Sequence, residues 1–221
     1  MFLSVRHRIL FVHIAKTGGT SIRAALARLR WTDPYSIPIY IGNHLARATK
    51  YRTGCKLHRH AKAITAQDML GHDNFAQLFK FSFVRNPWDL HVSSWLHVKQ
   101  RRHEGWDMEF PDFLKARFDP GRAPSYGMDT LREPQVRYLS DFDGQPLVDF
   151  VGRFENLNAD FKVVCRKAKL PELPLPHKRR AVSRRDYREY YTDELAEFVG
   201  KIHHLDLVRF GYTFDPVGVT A

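Results

Sequence analysis

The sequence predicts an α/β fold in which a central, mainly parallel β-sheet is flanked by helices. Two apolar runs, at residues 9–14 and 79–84, have the length and composition of buried strands, and a turn and an amphipathic helical pattern follow each run. Strands that alternate with helices in this way form parallel sheets, because each helix carries the chain back to the end of the sheet at which the previous strand began. The chain has 221 residues, of which 43% are hydrophobic, so we expect a single domain over residues 1–221 with a substantial core.

The first strand–turn–helix segment occupies residues 9–30. Ile9 to Ile14 is a continuous apolar run, as in a strand that is buried on both faces. From Ile22 onwards, apolar residues recur at spacings of three and four, which is the pattern of one helix face. The turn between the strand and the helix is rich in glycine and hydroxyl side chains, and it comprises Lys16, Thr17, Gly18, Gly19, Thr20 and Ser21.

This turn predicts an anion-binding site. Backbone N–H groups at a helix N-terminus converge on one point, and the helix dipole adds partial positive charge there. Glycines let a ligand approach the backbone closely, and Lys16 supplies a full charge, so the site suits a phosphate or sulfate group. The simpler alternative is a tight turn with a hydroxyl cap and a solvated lysine. We favour the anion site because all of these features follow directly on a buried strand.

The second segment, residues 79–99, repeats the pattern with a different turn. A strand is predicted over Phe79 to Val84, and a helix follows with Pro87 near its start, where proline is tolerated. In a P-loop NTPase, the lysine follows the glycines, and an acidic residue at the end of a neighbouring strand holds magnesium. Here Lys16 precedes the glycines and the second strand ends in Arg85, so both features favour an anion site that needs no metal.

Three further helices are predicted from capping and periodicity. A Thr-x-x-acid pattern at Thr65 to Asp68 is typical of a helix start. Apolar residues share one helical face over Leu157 to Ala168 and over Asp193 to Leu205. Residues 100–150 are irregular and rich in Phe, Pro, Gly and Asp, so we expect loops and short helices there.

Several segments of the chain resemble a known family. "FVHIAKTGGTSI", residues 11–22, and "FSFVRNPWDLHVSSW", residues 81–95, are similar to the two signature segments of sulfotransferases that use 3′-phosphoadenosine-5′-phosphosulfate (PAPS). The later segments "VDFVGRFENLNADF" and "YREYYTDELAEFV" resemble the carbohydrate sulfotransferases that include chondroitin and heparan members. The resemblance implies a P-loop-like three-layer fold, PAPS as donor, adenosine 3′,5′-bisphosphate (PAP) as product and no required metal. The chain departs from the family at Ala15, where proline is usual, and at Leu90, where arginine is often found.

The resemblance also implies roles for named residues. Lys16 to Ser21 would hold the 5′-phosphosulfate, with Lys16 stabilising charge on the phosphate oxygen that leaves. Arg85 and Ser93 would bind the 3′-phosphate, and a guanidinium suits this role because it binds phosphate oxygens through two hydrogen bonds. Residues 100–150 would shape the acceptor pocket. A basic segment within residues 177–214 would close over the nucleotide, and its candidate contacts are Arg180, Ser183 and Tyr187.

Sulfuryl transfer to a hydroxyl needs a general base, and histidine is the usual one. The stretch Cys55 to His60 contains two histidines, and related glycan sulfotransferases carry a catalytic histidine in the corresponding interval. We predict His60 as the base, with His58 as an alternate or a supporting partner. His13 and His44 are weaker candidates, and His13 is expected to be a packed core residue. The alternatives are a solvated basic loop and a metal site with the cysteine, although the spacing matches no common zinc site.

Composition limits the partners. Lys and Arg total 35 against 24 Asp and Glu, and the resulting formal charge of +11 indicates an anionic partner. The longest apolar run near the N-terminus is too short for a membrane span, so we expect a cytoplasmic sulfotransferase. Its acceptor would carry a hydroxyl, as a saccharide or glycoconjugate does. Two other classes stay open: a P-loop kinase of a small metabolite and a non-catalytic polyanion-binding module. Nucleic acid is not a predicted partner, because the chain carries no recognition motif for it.

Overall fold

The computed structural model describes residues 1–38, 41, 57–101, 108–176 and 185–215. The chain divides into two compact units: a first unit formed by Met1–Val84 and Arg137–Arg180, and a second unit formed by Arg85–Val136 and Ala181–Ala221. The chain therefore passes from the first unit to the second after Val84, returns after Val136 and leaves again after Arg180. A single domain over residues 1–221 stays a prediction.

The first unit contains a four-stranded sheet. Its strands are β1 (Phe2–Ser4), β2 (Ile9–Val12), β3 (Phe79–Val84) and β4 (Phe150–Arg153), and they lie in that order across the sheet. β1 is antiparallel to β2, whereas the β2–β3 and β3–β4 pairs are parallel. The prediction of an α/β fold with a mainly parallel sheet flanked by helices is therefore confirmed.

Helices account for most of the remaining regular structure. The α-helices whose bounds the structure defines are, in chain order, α1 (Gly19–Leu26), α2 (Ala63–Leu70), α3 (His72–Ala76), α4 (Pro87–Arg101), α5 (Phe110–Phe118), α6 (Tyr126–Asp129), α7 (Leu157–Lys167), α8 (Asp193–Ile202) and α9 (His204–Phe210). Short 3₁₀ helices lie at Ala27–Thr32, Gln135–Tyr138, Phe154–Asn156 and Tyr187–Tyr190.

Two of these helices differ from the prediction in their bounds. α2 begins at Ala63 rather than at Thr65, and the Thr65 N–H donates to the Lys62 carbonyl at 3.1 Å, so Thr65 lies inside the first turn. The helix predicted to continue to residue 205 ends at Ile202, and α9 begins directly after His203. The buried His203 side chain, between the two helices, makes a hydrogen bond to Asp206 within the second unit. The periodicity of apolar residues does not reveal a contact of this kind.

One face of the sheet carries the core of the first unit. The Phe11 and Phe81 rings stack there with centroids 5.2 Å apart. α1 and α7 pack on this face through buried apolar side chains, which include Ile22, Leu26, Phe161 and Val164. On the opposite face of β3, the Lys80 ammonium lies 5.2 Å from the centre of the Phe75 ring of α3. Because strand side chains alternate between faces, helices lie on both faces of this sheet.

The second unit is built around α4. Its core joins α4 to α5 and α8 through large buried side chains: Trp88, Val92, Trp95, Phe110, Phe113, Leu114 and Val199. The Trp88 indole Nε1 also donates to the Ala196 carbonyl at 2.8 Å, so a hydrogen bond connects α4 to α8. The short helices α5 and α6 agree with the expectation for residues 100–150, within the part of that region that the structure describes.

Candidate functional site

The glycine-rich turn joins β2 to α1 in the first unit. Gly18 is the N-cap of α1 and adopts the left-handed conformation, with φ of 80°. Lys16 is also left-handed, with φ of 66°. This conformation costs a residue with a side chain about 1–3 kcal/mol, and such strain concentrates at functional sites. The Gly18 carbonyl accepts hydrogen bonds from the N–H groups of Ser21 and Ile22 at 3.0 and 3.3 Å, so the first turn of α1 is closed.

Both glycines also lie against side chains from other parts of the first unit. A Cβ atom on Gly19 would lie 2.0 Å from Cδ2 and Nε2 of His13, a distance at which atoms overlap. A Cβ atom on Gly18 would lie 2.8 Å from a methyl group of Leu157. The imidazole of His13 therefore rests directly against the first residue of α1. The glycines therefore allow two close approaches within the protein, by Leu157 and by His13.

The three hydroxyl side chains of the turn have different surroundings. Thr17 is fully buried, and its hydroxyl donates to the Ile14 carbonyl at 2.9 Å. That proton is therefore used inside the turn. Thr20 is exposed and Ser21 is half-buried at the start of α1, so these two hydroxyls and the half-buried Lys16 lie at the surface of the turn.

His60 lies against the same part of the first unit. Its Nδ1 is 2.9 Å from the backbone carbonyl oxygen of His13, and the two imidazole rings are tilted with centroids 4.5 Å apart. A carbonyl oxygen only accepts hydrogen bonds, so Nδ1 of His60 carries the proton. In the neutral imidazole, Nε2 is then the nitrogen that accepts a proton.

Burial keeps both histidines neutral. It lowers the pKa of His60 to about 4, although the hydrogen bond to the His13 carbonyl acts in the opposite direction. Burial lowers the pKa of His13 to about 2, and the nearby His60 lowers it further. His13 is 4% exposed, which agrees with the expectation of a packed residue. Its Nδ1 has no hydrogen-bond partner within the described part of the chain.

His58 occupies a different position from His60. It is exposed, and its ring centroid lies 6.5 Å from that of His60. Its Nδ1 accepts a weak hydrogen bond from the His60 backbone N–H at 3.4 Å. Of the two histidines, His60 is the one that the structure places against His13. Cys55 and His44 lie outside the described residues. The alternative of a metal site that includes Cys55 is therefore not described by the structure.

Arg85 is the first residue after β3 and belongs to the second unit. It is buried, and its guanidinium binds Asp89 through two nitrogens, with Nε and Nη2 at 2.7 and 2.6 Å from Oδ2. Sequence reasoning missed Asp89. The signal was present in the spacing, because residues four apart on a helix lie on one face and an acid–arginine pair at that spacing can form an ion pair.

Asn86 is a second residue that sequence reasoning missed. Its side-chain oxygen accepts hydrogen bonds from the N–H groups of Trp88 and Asp89 at 3.1 and 3.4 Å, so Asn86 caps the N-terminus of α4. Its amide nitrogen donates to the Thr213 carbonyl at 3.0 Å and to the Tyr187 hydroxyl at 3.4 Å. An asparagine directly before a proline that starts a helix is the sequence signal for this cap.

The remaining predicted nucleotide contacts are only partly described. Tyr187 is half-buried, its hydroxyl donates to the Phe214 carbonyl, and burial raises its pKa. Ser93 is half-buried on α4, and the next residue, Ser94, is buried and accepts a hydrogen bond from Arg117 at 2.7 Å. Arg180 and Ser183 lie outside the described residues.

No group of three or more His, Cys, Asp or Glu side chains among the described residues is arranged to hold a metal ion. In the described part of the chain, no helix combines the length and the apolar content that crossing a membrane requires.

The first unit thus combines a mainly parallel sheet, a glycine-rich turn with a left-handed lysine, and two neutral histidines, His13 and His60, beside that turn. Comparison with protein families gives the class, because the model of the sulfotransferase family matches residues 1–213. The chain therefore belongs to the sulfotransferase family, a family of transferases that move sulfuryl groups and generally use PAPS as donor.

Sequence comparison also finds a relative without a described activity. An uncharacterized protein of Archaeoglobus fulgidus is 33% identical over 108 residues, which are 48% of this chain and 80% of that protein. No solved structure matches the chain.

Proposed function

We propose that the protein transfers the sulfuryl group of PAPS to a hydroxyl of a saccharide or glycoconjugate in the cytoplasm and releases PAP. The observation that carries the proposal is the arrangement at the β2–α1 turn. There, His13 contacts Gly19 with its ring and holds the Nδ1 proton of His60 with its carbonyl. An anion site and a proton acceptor of defined tautomer are thereby joined through one residue. We also infer the P-loop-like three-layer fold, which the helices on both faces of the sheet support.

The donor's 5′-phosphosulfate binds at the turn in this proposal. Backbone N–H groups of residues 18–20 and the dipole of α1 favour the negative charge, and Lys16 lies beside them. The bond between sulfur and the bridging phosphate oxygen breaks during transfer, and negative charge develops on that oxygen. Lys16 stabilises this charge, which lowers the barrier in the same way as other preorganised cations at a leaving group. Thr20 and Ser21 add hydroxyl donors at the surface of the turn.

His60 acts as the general base. The acceptor hydroxyl attacks sulfur in line with the leaving oxygen, and Nε2 of His60 takes the hydroxyl proton as the new oxygen–sulfur bond forms. The imidazole is in its base form at neutral pH, since its pKa in the unliganded protein is about 4. A bound phosphosulfate adds negative charge, which raises the pKa of His60 towards the range where histidine is an effective base. His58 supports His60 through the hydrogen bond to its backbone N–H.

The 3′-phosphate of the nucleotide binds Arg85 and Ser93 in this proposal, and Arg180, Ser183 and Tyr187 are further contacts. The ion pair with Asp89 fixes the plane of the Arg85 guanidinium before a ligand arrives. A fixed plane favours bidentate contact with a phosphate, because little side-chain freedom is lost on binding. The kinase alternative has less support, because Arg85 stands where an NTPase places the acid that holds magnesium.

Calorimetry on the purified protein tests the proposal. We expect PAP to bind in the presence of EDTA and more tightly than ATP with magnesium. The variant Arg85→Ala should bind PAP about tenfold more weakly or worse, because a charged hydrogen bond to phosphate is lost. Arg209→Ala is the matched control, since Arg209 is an exposed arginine of the same unit and its loss should leave PAP affinity within about threefold. Binding of ATP only with magnesium, without binding of PAP, would contradict the proposal.

A further inference from the structure

We propose that Gln135 and Asp206 are positioning residues that hold the backbone of Arg85 and thereby set the preference of the site for a 3′-phosphate. This inference rests on the proposed function, because it assigns a role to residues behind the proposed phosphate-binding arginine. All the residues concerned belong to the second unit. None of them touches the reacting groups, and their effect on the ligand passes through Arg85.

The side chain of Gln135 binds both backbone groups of Arg85. Its Oε1 accepts from the Arg85 N–H at 2.9 Å, and its Nε2 donates to the Arg85 carbonyl at 2.7 Å. Arg85 follows the last residue of β3, so a side chain here completes the pairing of backbone groups that a strand neighbour would otherwise provide. Gln135 is fully buried, and loss of its amide would leave two buried backbone groups without these partners.

Asp206 fixes the orientation of Gln135. Its Oδ2 accepts from the Gln135 backbone N–H at 2.8 Å and from Gln135 Nε2 at 3.3 Å, and its Oδ1 accepts from the Val136 N–H at 2.8 Å. The carboxylate can accept from the amide nitrogen of Gln135 but not donate to the amide oxygen. The Gln135 amide therefore has one orientation only, with Nε2 shared between Asp206 and the Arg85 carbonyl.

A chain of buried side chains connects Asp206 to a compensating positive charge. His203 Nδ1 lies 3.1 Å from Asp206 Oδ2, the Nε2 atoms of His203 and His91 are 2.8 Å apart, and Arg117 Nη1 lies 3.1 Å from His91 Nδ1. Each of these four residues is 0% exposed. A buried carboxylate is costly unless it is paired and hydrogen-bonded, and here the pairing runs through two imidazoles to a guanidinium.

The protons in this chain have one consistent assignment. Arg117 can only donate, so Nδ1 of His91 accepts and its Nε2 carries a proton. His91 then donates to Nε2 of His203, and the Nδ1 proton of His203 points to Asp206. His91 is neutral in this arrangement, and burial holds its pKa well below its usual range. Every hydrogen bond therefore runs from Arg117 towards Asp206, and the carboxylate at the end is available to hold Gln135.

The consequence for binding follows from geometry. Asp89 holds the guanidinium of Arg85 and Gln135 holds its backbone, so both ends of the side chain are fixed. Small displacements weaken bidentate contact with a phosphate, because both hydrogen bonds depend on the angle of the guanidinium plane. A more mobile Arg85 backbone should therefore weaken the contribution of the 3′-phosphate to binding affinity. The contribution of the rest of the nucleotide should change less.

The test compares PAP with adenosine 5′-phosphate, which lacks the 3′-phosphate, by calorimetry. The variant Gln135→Met keeps the length of the side chain. In this variant we expect the ratio of the affinity for PAP to the affinity for adenosine 5′-phosphate to fall about tenfold, while the affinity for adenosine 5′-phosphate itself changes less than about threefold. Asp206→Asn should lower the ratio in the same direction. In the Arg85→Ala background, Gln135→Met should cause no further loss. Val199→Ala, a core change in the same unit, is the control for general destabilisation and should leave the ratio unchanged.

Two outcomes separate this inference from the proposed function. If the wild-type protein shows no preference for PAP, the proposed function fails. If the wild type prefers PAP and Gln135→Met preserves the ratio, only the positioning role fails. Should neither variant fold, NMR of the wild type decides, because the Gln135 side-chain amide signals should shift with PAP and stay in place with adenosine 5′-phosphate. Equal shifts with both ligands would overturn the positioning role.

Discussion

The backbone carbonyl of His13 sets the tautomer of His60. An imidazole in a solvated loop exchanges freely between its two neutral forms, whereas the His13 carbonyl selects the form with the proton on Nδ1. The backbone of His13 is in turn held by the packing of its ring against α1. The carbonyl of one core histidine therefore determines which nitrogen of another histidine carries the proton.

The proposed role of His60 predicts a loss of turnover without a loss of donor binding. His60→Ala should lower kcat about 10²- to 10⁴-fold, as expected when a general base is removed, and should change PAP affinity less than about threefold. His58→Ala is the matched control and should reduce kcat far less, because the His58 side chain is exposed and its hydrogen bond to the His60 backbone N–H is long, at 3.4 Å. In the wild type, kcat/KM should be constant near neutrality and should fall as acid protonates His60, whose pKa is about 4. Full turnover in His60→Ala would remove this residue from the mechanism.

At the scale of elements, the short turn between β2 and α1 brings the end of the strand into contact with the start of the helix. The turn combines two left-handed residues with a helix start that has no side chain at its first position. As a result, the N-terminal end of α1 lies in contact with a side chain from the end of the strand region. Any side chain at Gly19 must displace the His13 ring.

Gly19→Ala should therefore reduce the free energy of unfolding by about 1–3 kcal/mol, as overpacked sites do. Urea denaturation followed by circular dichroism measures this change. Gly200→Ala provides the opposite control, because Gly200 lies within α8 and an added Cβ would meet Trp88 only at 3.4 Å. Better helix propensity should make that variant more stable by about 0.5–1 kcal/mol. Equal stability of Gly19→Ala and the wild type would show that the His13 ring can move at no cost.

The elements with a continuous apolar pattern were predicted well. β3 has the predicted bounds, α4 begins at the predicted proline, and the turn after β2 leads directly into α1. Each of these features is encoded within about a dozen neighbouring residues. β1 was not predicted because it has only three residues, and β4 was not predicted because it is only partly buried, whereas β2, of the same length as β4, is buried throughout.

The buried polar contacts were beyond prediction from the sequence. Gln135 and Asp206 are 71 positions apart, and nothing in the local pattern of either residue indicates a partner. His203, between α8 and α9, also makes such a contact, because its Nε2 lies 2.8 Å from Nε2 of His91, 112 positions earlier in the chain. Tertiary hydrogen bonds of this kind leave no periodicity, so sequence reasoning located the glycine-rich turn before α1 but not the residues that hold the backbone of Arg85.

At the scale of the whole molecule, charge and site should respond differently to salt. The formal charge of +11 attracts any anion at long range, and this attraction weakens as the Debye length shrinks from about 10 Å at 0.1 M to about 3 Å at 1 M. Arg85, in contrast, is 5% exposed, and contacts of a buried guanidinium are screened much less.

We therefore expect the affinity for PAP to fall between 50 mM and 500 mM NaCl while the preference for PAP over adenosine 5′-phosphate persists. Calorimetry at both salt concentrations measures the two affinities. A general polyanion-binding module would behave differently, because its affinity depends on counterion release and not on the position of one phosphate. Loss of the preference at 500 mM NaCl would favour that class over a sulfotransferase.

The order in which the chain visits its two units has a consequence for biosynthesis. A ribosome releases β2 and β3 long before β4, which completes the sheet, and it releases Gln135 long before Asp206. Neither unit can therefore reach its final hydrogen bonding during the first half of translation. Until β4 and Asp206 are synthesised, the edge of β3 and the amide of Gln135 lack some of their final partners on the nascent chain. We expect chaperones that shield exposed strand edges to bind the nascent chain during this interval.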